Sequence, residues 1–351
     1  MTRSRAYITV VGFVALLTTA SCAPSAATTP STPTAAVSEQ VDRLPPTLPL
    51  RSGVGLPERI NLDGAANLSD SPVRRAVALV SPWDRNSGQD GKVHVIGEDG
   101  VARVLDVVAL APTRDAGGNT AAPLKVGALS PDGALAAFAQ PDEVIVVDVT
   151  KAVVRRIPVP GLNEFVRWMP SGALLVARDA DAHMVDLGSG NVRKIQTSLW
   201  DMAAEAPLQV TGGDKPAVRM WSGDFGAVTA ELPITSTLPD GFQIREWYGP
   251  AWRSGDLIAR SGWSRSEQVD GAEAVAVIDA RTGRIVRLLD LGMGRWKACC
   301  TTLGWLDLNT VLVRTSGQDS GIVAWDIRTG AVTLVTAQFD GTITLANPQA
   351  R

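Results

Sequence analysis

The residues best equipped to grip a partner are tryptophans, arginines and acids gathered in a few segments. Trp83, Asp84 and Arg85 stand together, as do Arg114 and Asp115; Trp263 lies beside Arg265, and Arg295, Trp296 and Lys297 are consecutive. Trp and Arg dominate the residues that carry binding energy at interfaces. A guanidinium beside an indole suits a protein surface, a carboxylate or a sugar equally, so these segments form a candidate partner-binding set. Patterns that would carry catalysis or a cofactor are thinner. The segment Asp84 to Asp90 alternates oxygen donors as a calcium loop does, but Gln89 and Val95 stand where that loop needs Gly and Glu. Asp319-Ser320-Gly321 has no partnering His motif. Neither Gly53-Val-Gly55 nor Gly292-Met-Gly294 opens a strand–helix nucleotide fold. The two histidines, His94 and His183, lie in apolar strand patterns and are expected to be packed. No catalytic residue, metal ligand or cofactor is therefore assigned.

The elements that position these residues are repeats. Leu129-Ser-Pro-Asp-Gly133 aligns with Trp168-Met-Pro-Ser-Gly172, Trp252-Arg-Ser-Gly255 and Trp305-Leu-Asp-Leu-Asn309. After each comes an apolar strand, then a strand ending in Asp148, Asp186, Asp279 or Asp326, a tight turn and a last strand. Asp-Gly and Thr-Gly between apolar runs are hairpin signals. Weaker copies over Ala76–Val108 and Leu208–Leu232 bring the total to six units across residues 55–351. A period of this length, four strands per unit and the lack of helical pattern predict an all-β fold, a β-propeller. Six four-stranded blades fit better than seven, with a β-sandwich pair as the alternative architecture. The repeat tryptophans are expected between blades and the repeat aspartates on their own turn amides.

The repeat starts, the strand ending in Asp and the Thr-Gly turn resemble the WD40-like repeats of TolB-type propellers. That resemblance implies the fold and leaves the task open, because propellers host many tasks. In such a blade, strands A to D run outward, so A–B and C–D turns share one face and B–C and D–A connections the other. The first set here is uniformly tight. The long insertions, Pro82–Gly91, Ala109–Pro123, Thr197–Pro207, Thr235–Phe242, Ser261–Ala272 and Asp290–Thr302, all fall in the second. Loops carry function on a scaffold that positions them, which marks the long-loop face as the binding face.

Residues 1–22 have the layout of an export signal: Arg3 and Arg5, the apolar run Ala6–Leu17, then Thr19-Ala20-Ser21-Cys22. The small residues before Cys22 resemble a bacterial lipobox, with Thr19 in place of the usual Leu. The resemblance implies lipidation of Cys22 by fatty-acyl chains such as palmitate, and a lipid anchor at the extracytoplasmic face of the cell membrane. Residues 23–54, rich in Pro, Ala, Ser and Thr, read as a flexible tether reaching roughly 3 Å per residue. Once Cys22 is set aside, Cys299 and Cys300 remain, adjacent, in an oxidising compartment. They form a vicinal disulfide, stay as buried thiols, or serve a redox or metal role. A net charge of −3 gives no field for nucleic acid. The reading that follows is a membrane-anchored propeller acting as a protein-binding or scaffold module of the cell envelope. A carbohydrate- or small-molecule-binding accessory or sensor is one alternative. A lactonase-like or glycan-cleaving hydrolase using channel carboxylates is another.

Overall fold

Strand pairing in the computed structural model yields six small sheets arranged as a six-bladed β-propeller. It describes residues 40–84, 89–114, 118–178, 181–195, 197–199, 201–266, 271–292, 300–316 and 320–348. Cys22, Arg85, Asp115, Arg295, Trp296, Lys297 and Cys299 lie outside them. Among the described residues, a single 3-10 turn, Pro239–Gly241, is the one helical element.

Blades 3, 5 and 6 are complete from one stretch of chain. Blade 3 is Phe165–Trp168, Leu174–Ala177, Ala182–Val185 and Val192–Ile195. Blade 5 is Gln243–Ser254, Leu257–Arg265, Ala272–Asp279 and Arg284–Gly292; blade 6 is Thr301–Asp307, Thr310–Thr315, Gly321–Asp326 and Val332–Ala337. In blades 2 and 4 the inner strand is reduced to single bridges, Leu129 to Ala136 and Met202 to Gln209. The segment Thr197–Pro207, an insertion by sequence, thus holds the inner edge of blade 4. Blade 1 takes its inner strand from the C-terminus: Gly341–Leu345 pairs antiparallel with Ala76–Asp84, outside which lie His94–Gly97 and Ala102–Val104.

Sheets buried on both faces read as continuous apolar runs, and the strand Leu135–Gln140 shows why. Its side chains alternate between faces. Ala136 and Phe138 pack with Leu79 and Val95 of blade 1, while Ala137 and Ala139 pack with Val166 and Trp168 of blade 3. The repeat tryptophans tie neighbouring blades. The indole N–H of Trp168 donates to the Ala128 carbonyl (3.1 Å), that of Trp252 to Thr302 (2.9 Å) and that of Trp305 to Trp252 (3.0 Å). The repeat aspartates accept from their own turns: Asp148 from the Thr150 amide, Asp186 from Ser189, Asp279 from Arg281 and Asp326 from Arg328. In blade 4, Ser222 and Asp224 divide that task, accepting from the Ala227 and Gly226 amides.

Residues 40–54, which their composition places in the tether, are held on the rim of the propeller. Gln40–Arg43 adds a parallel strand to the outer edge of blade 5. Leu50 and Arg59 then bridge to the outer strand of blade 6, and Ala66–Asn67 to that of blade 1. The strap is pinned by Asp42, whose carboxylate accepts from Arg287 Nε (2.7 Å) and Nη2 (2.9 Å) and from Trp325 Nε1 (2.9 Å). All three side chains are buried. Gly330, at φ +78°, makes room for the clasp: a Cβ there would lie 2.5 Å from Asp42 Oδ1.

Candidate functional site

Five of the six blades contribute to a cavity of about 610 Å³ at one end of the propeller axis. Glu164, Phe165 and Arg167 come from the start of blade 3, Trp247–Pro250 and Arg260 from blade 5, Thr301 from blade 6, and Asp90 and Thr342 from blade 1. Leu124, Lys125 and Val126 come from the approach to blade 2. Inner strands begin at D–A connections and Asp90 belongs to a B–C loop, so the cavity opens on the long-loop face.

Three local devices shape it. In the connection from blade 1 to blade 2, Thr113–Arg114 and Thr120–Ala121 form a small hairpin whose Thr113 and Ala121 line the mouth. Gln140 clamps this connection, accepting from the Ala111 amide (2.8 Å) and donating to its carbonyl (2.9 Å). In the inner strand of blade 5, Tyr248 pairs with Ser261 and Trp252 with Ala259, so Gly249 to Ala251 face Arg260 alone. Such a bulge re-aims side chains, and Arg260 Nε donates to the Gly249 carbonyl (3.0 Å). At the other end of the axis the C-terminal residues cross between blades. The Ala346 amide donates to Val77 (3.1 Å), the Asn347 amide to Pro131 (3.0 Å) and Asn347 Nδ2 to Glu205 Oε2 (2.6 Å).

The electrostatics of the cavity are those of buried cations. Arg260 is fully engaged: besides Gly249 it donates to the Val210 carbonyl and to Asp201 Oδ1 (2.8 Å). Arg167 Nη1 donates to the carbonyls of Val126 (2.9 Å) and Val166 (2.8 Å), and its Cζ lies 4.4 Å above the Phe165 ring. Burial, reinforced by the Arg260 charge, pulls the Arg167 guanidinium down to about 9, so it is still protonated at neutral pH. Burial also lowers Lys125, against the opposing pull of Asp90, and raises Asp90, against Lys125, Thr342 and Arg314. Asp90 and Glu164 are the lining carboxylates. Among the described residues, no cluster of three His, Cys, Asp or Glu could hold a metal ion. His94 and His183 are buried on the C strands of blades 1 and 3, and burial lowers both.

Of the sequence-derived binding residues, Trp83, Asp84, Arg114, Trp263 and Arg265 are described, and each lies in or beside a long-loop connection. Trp83 is 46% exposed at the end of its strand in blade 1, followed by exposed Asp84. On blade 5, Trp263 is half-buried, with Gly271 packed so closely that a Cβ there would meet the indole at 2.4 Å; Arg265 is exposed. Blade 6 separates the two groups. Arg114 lies in the mouth hairpin. Cys300 is buried and disulfide-bonded. Exposed apolar side chains do not by themselves mark the face, since Val101 and Leu308 protrude from the tight turns opposite. A larger cavity of about 840 Å³ also lies on that opposite side, between blades 1 and 2. Arg74 pairs there with Glu98 (2.6 Å) and Arg103 with Asp99 (2.7 Å), while Arg75 donates to the Asp132 and Asn347 carbonyls.

Sequence reasoning missed Lys125, Arg167, Arg260 and Tyr248. A signal was present: Phe-Val-Arg167-Trp and Leu-Ile-Ala-Arg260 each set a cation inside an otherwise apolar scaffold strand.

No protein-family model matches the chain, and no curated protein matches it. Among solved structures it is similar to a chain of the "Crystal Structure of Mitotic Checkpoint Complex", with 19% identity and a TM-score of 0.42 over 64% of this chain and 70% of that one. A likeness at that level carries no functional argument, and the fold rests on the strand pairing above.

Proposed function

We propose that this protein is a membrane-tethered, extracytoplasmic binding propeller that engages its partner in the cell envelope with the long-loop face. The observation that carries this reading is the one-sidedness of the molecule: the axial cavity opens among the long connections, while tight turns and the crossing of Ala346–Pro348 occupy the other end. The export signal and Cys22 support a lipid anchor, and the likeness of the repeats to TolB-type propellers supports an envelope setting. Gln40–Arg43 runs parallel to Arg284–Gly292, which leaves a tight C–D turn and heads for the long-loop face, so Gln40 lies toward the tight-turn side.

Replacing the anchor tests the first half of this reading. Cys22→Ser is expected to move the protein from the membrane to the soluble extracytoplasmic fraction while its thermal unfolding is unchanged. A variant still retained by the membrane after a salt wash would contradict lipid tethering.

A further inference from the structure

Arg167 is only 7% exposed and makes its hydrogen bonds through a single nitrogen, Nη1, to two backbone carbonyls. Its Nε is buried with no hydrogen-bond partner. Among the described residues, no carboxylate pairs with Arg167, in contrast to Arg260, which is matched by Asp201, and to Lys125, which has Asp90 and Glu164 within electrostatic reach. Nε is closed off from solvent, so the donor left for a ligand is Nη2, which makes no hydrogen bond; charge-assisted bonds from a guanidinium to a carboxylate or phosphate are the strong ones. That donor is unclaimed in a side chain whose burial makes a missing counter-charge costly. The fork is held in place by the carbonyls of Val126 and Val166 and by the Phe165 ring beneath it. A charged group this confined and this incompletely paired is preorganised for a ligand.

The rest of the cavity is consistent with an organic body attached to that anion. Its volume of about 610 Å³ lies in the range of small-molecule sites. Phe165, Trp247 and Tyr248 supply aromatic wall, and Lys125 supplies a second, compact cation on the approach to blade 2. Asp90 and Glu164 also line the space. Asp90 lies within the electrostatic reach of Lys125 and Arg314 and is bonded to Thr342 (3.5 Å), while Glu164 also acts on Lys125 and has a further interaction of its own. Neither is paired with Arg167.

We propose that the axial cavity is a binding site for a small organic anion, its carboxylate or phosphate taken by Arg167 and Lys125 and its body by the aromatic wall. This rests on the long-loop face being the binding face and names the chemistry of what binds at its centre. The other cavities offer no comparable buried group: Arg74 and Arg103 are paired with acids, and Arg75 and Arg253, both more exposed, bond to backbone carbonyls.

The test uses the full chain in mild detergent and calorimetric titration with glucuronate, glucose 6-phosphate and, as the neutral control, glucose, all at constant ionic strength. One or both anions are expected to bind at one site per chain, and glucose far more weakly. Binding of glucuronate alone assigns a carboxylate ligand, and of glucose 6-phosphate alone a phosphate. Lys125→Met, at a partly buried position, is expected to weaken binding about tenfold or more, as does loss of one charge-assisted hydrogen bond, with an unchanged Tm showing that the variant folds. Arg167→Met is expected to weaken it further if the variant folds, and Leu308→Ala, in a tight turn of the opposite face, leaves it unchanged. The proposal is overturned if neither anion binds better than glucose, or if Lys125→Met binds as tightly as the parent. A negative titration beside an intact partner contact at Trp83 would sink this proposal alone and leave the binding-face reading standing.

Discussion

Removing the Asp42 carboxylate is expected to cost more than any other single change on the rim of the propeller. Asp42 receives two hydrogen bonds from Arg287 and one from Trp325, and the paired side chains of Asp42 and Arg287 are 5% and 2% exposed. Asp42→Ala leaves a guanidinium buried without a counter-charge and an indole N–H without an acceptor. Breaking a buried pair from one side costs about 3–5 kcal/mol. For a unit spanning Val37–Arg351, an unfolding entropy near 2.1 cal/mol/K per residue turns this into a fall of about 5–8 °C in Tm. Thermal unfolding followed by circular dichroism reads it directly. The double variant Asp42→Leu with Arg287→Met is expected to recover much of the loss, since replacing both members of a buried pair by apolar groups is close to neutral. A fall of less than about 1 °C for Asp42→Ala, or strictly additive losses in the double variant, would refute the argument that this clasp holds the N-terminal strap.

Further consequences follow from the core and from the buried acids. Phe138→Ala, at a fully buried position packed against blade 1, is expected to destabilise by about 3–5 kcal/mol in chemical denaturation, with Leu at the same position costing far less. Burial raises the carboxyl of Glu205 in spite of its bond from Asn347, so the ionised form weakens the fold at neutral pH. Glu205→Gln is therefore expected to raise Tm at pH 7, with the gain vanishing as the parent carboxyl becomes protonated in acid; an equal gain at both pH values would contradict the assignment. Asp99 behaves oppositely, because Arg103 holds it at about 2. Its contribution is complete above the ordinary carboxylate range and is lost as pH falls toward 2, so Asp99→Asn is expected to flatten the acid limb of the Tm–pH profile.

The scaffold was legible because each blade repeats the same solutions. An apolar strand buried on both sides, an Asp accepting turn amides and a Trp reaching the next blade recur in type and spacing, and Trp168, Trp252, Trp305, Asp148 and Asp326 all take those places. The closure was not legible. Gly341–Leu345 resembles any short strand, and nothing in its composition says that it pairs with Ala76–Asp84. Asp42 sits among prolines and threonines, where a lone acid gives no hint of a buried clasp with Arg287. The axial cavity escaped for a different reason. Surplus residues between repeats mark loops, whereas Arg167 and Arg260 occupy regular strand positions and differ from their counterparts only in type. A cation inside an apolar repeat strand is therefore a pointer of a different kind from the Trp and Arg residues between blades.

The central claim is that the long-loop face is the working face, and site-specific photo-crosslinking in living cells tests it most directly. A photoreactive phenylalanine analogue is placed at Trp83, 46% exposed among the long loops, and separately at Leu308, 66% exposed in a tight turn of the opposite face. The expected result is a discrete crosslinked species from position 83 and none from position 308. Crosslinking from position 308 alone, or equally from both, would contradict the account.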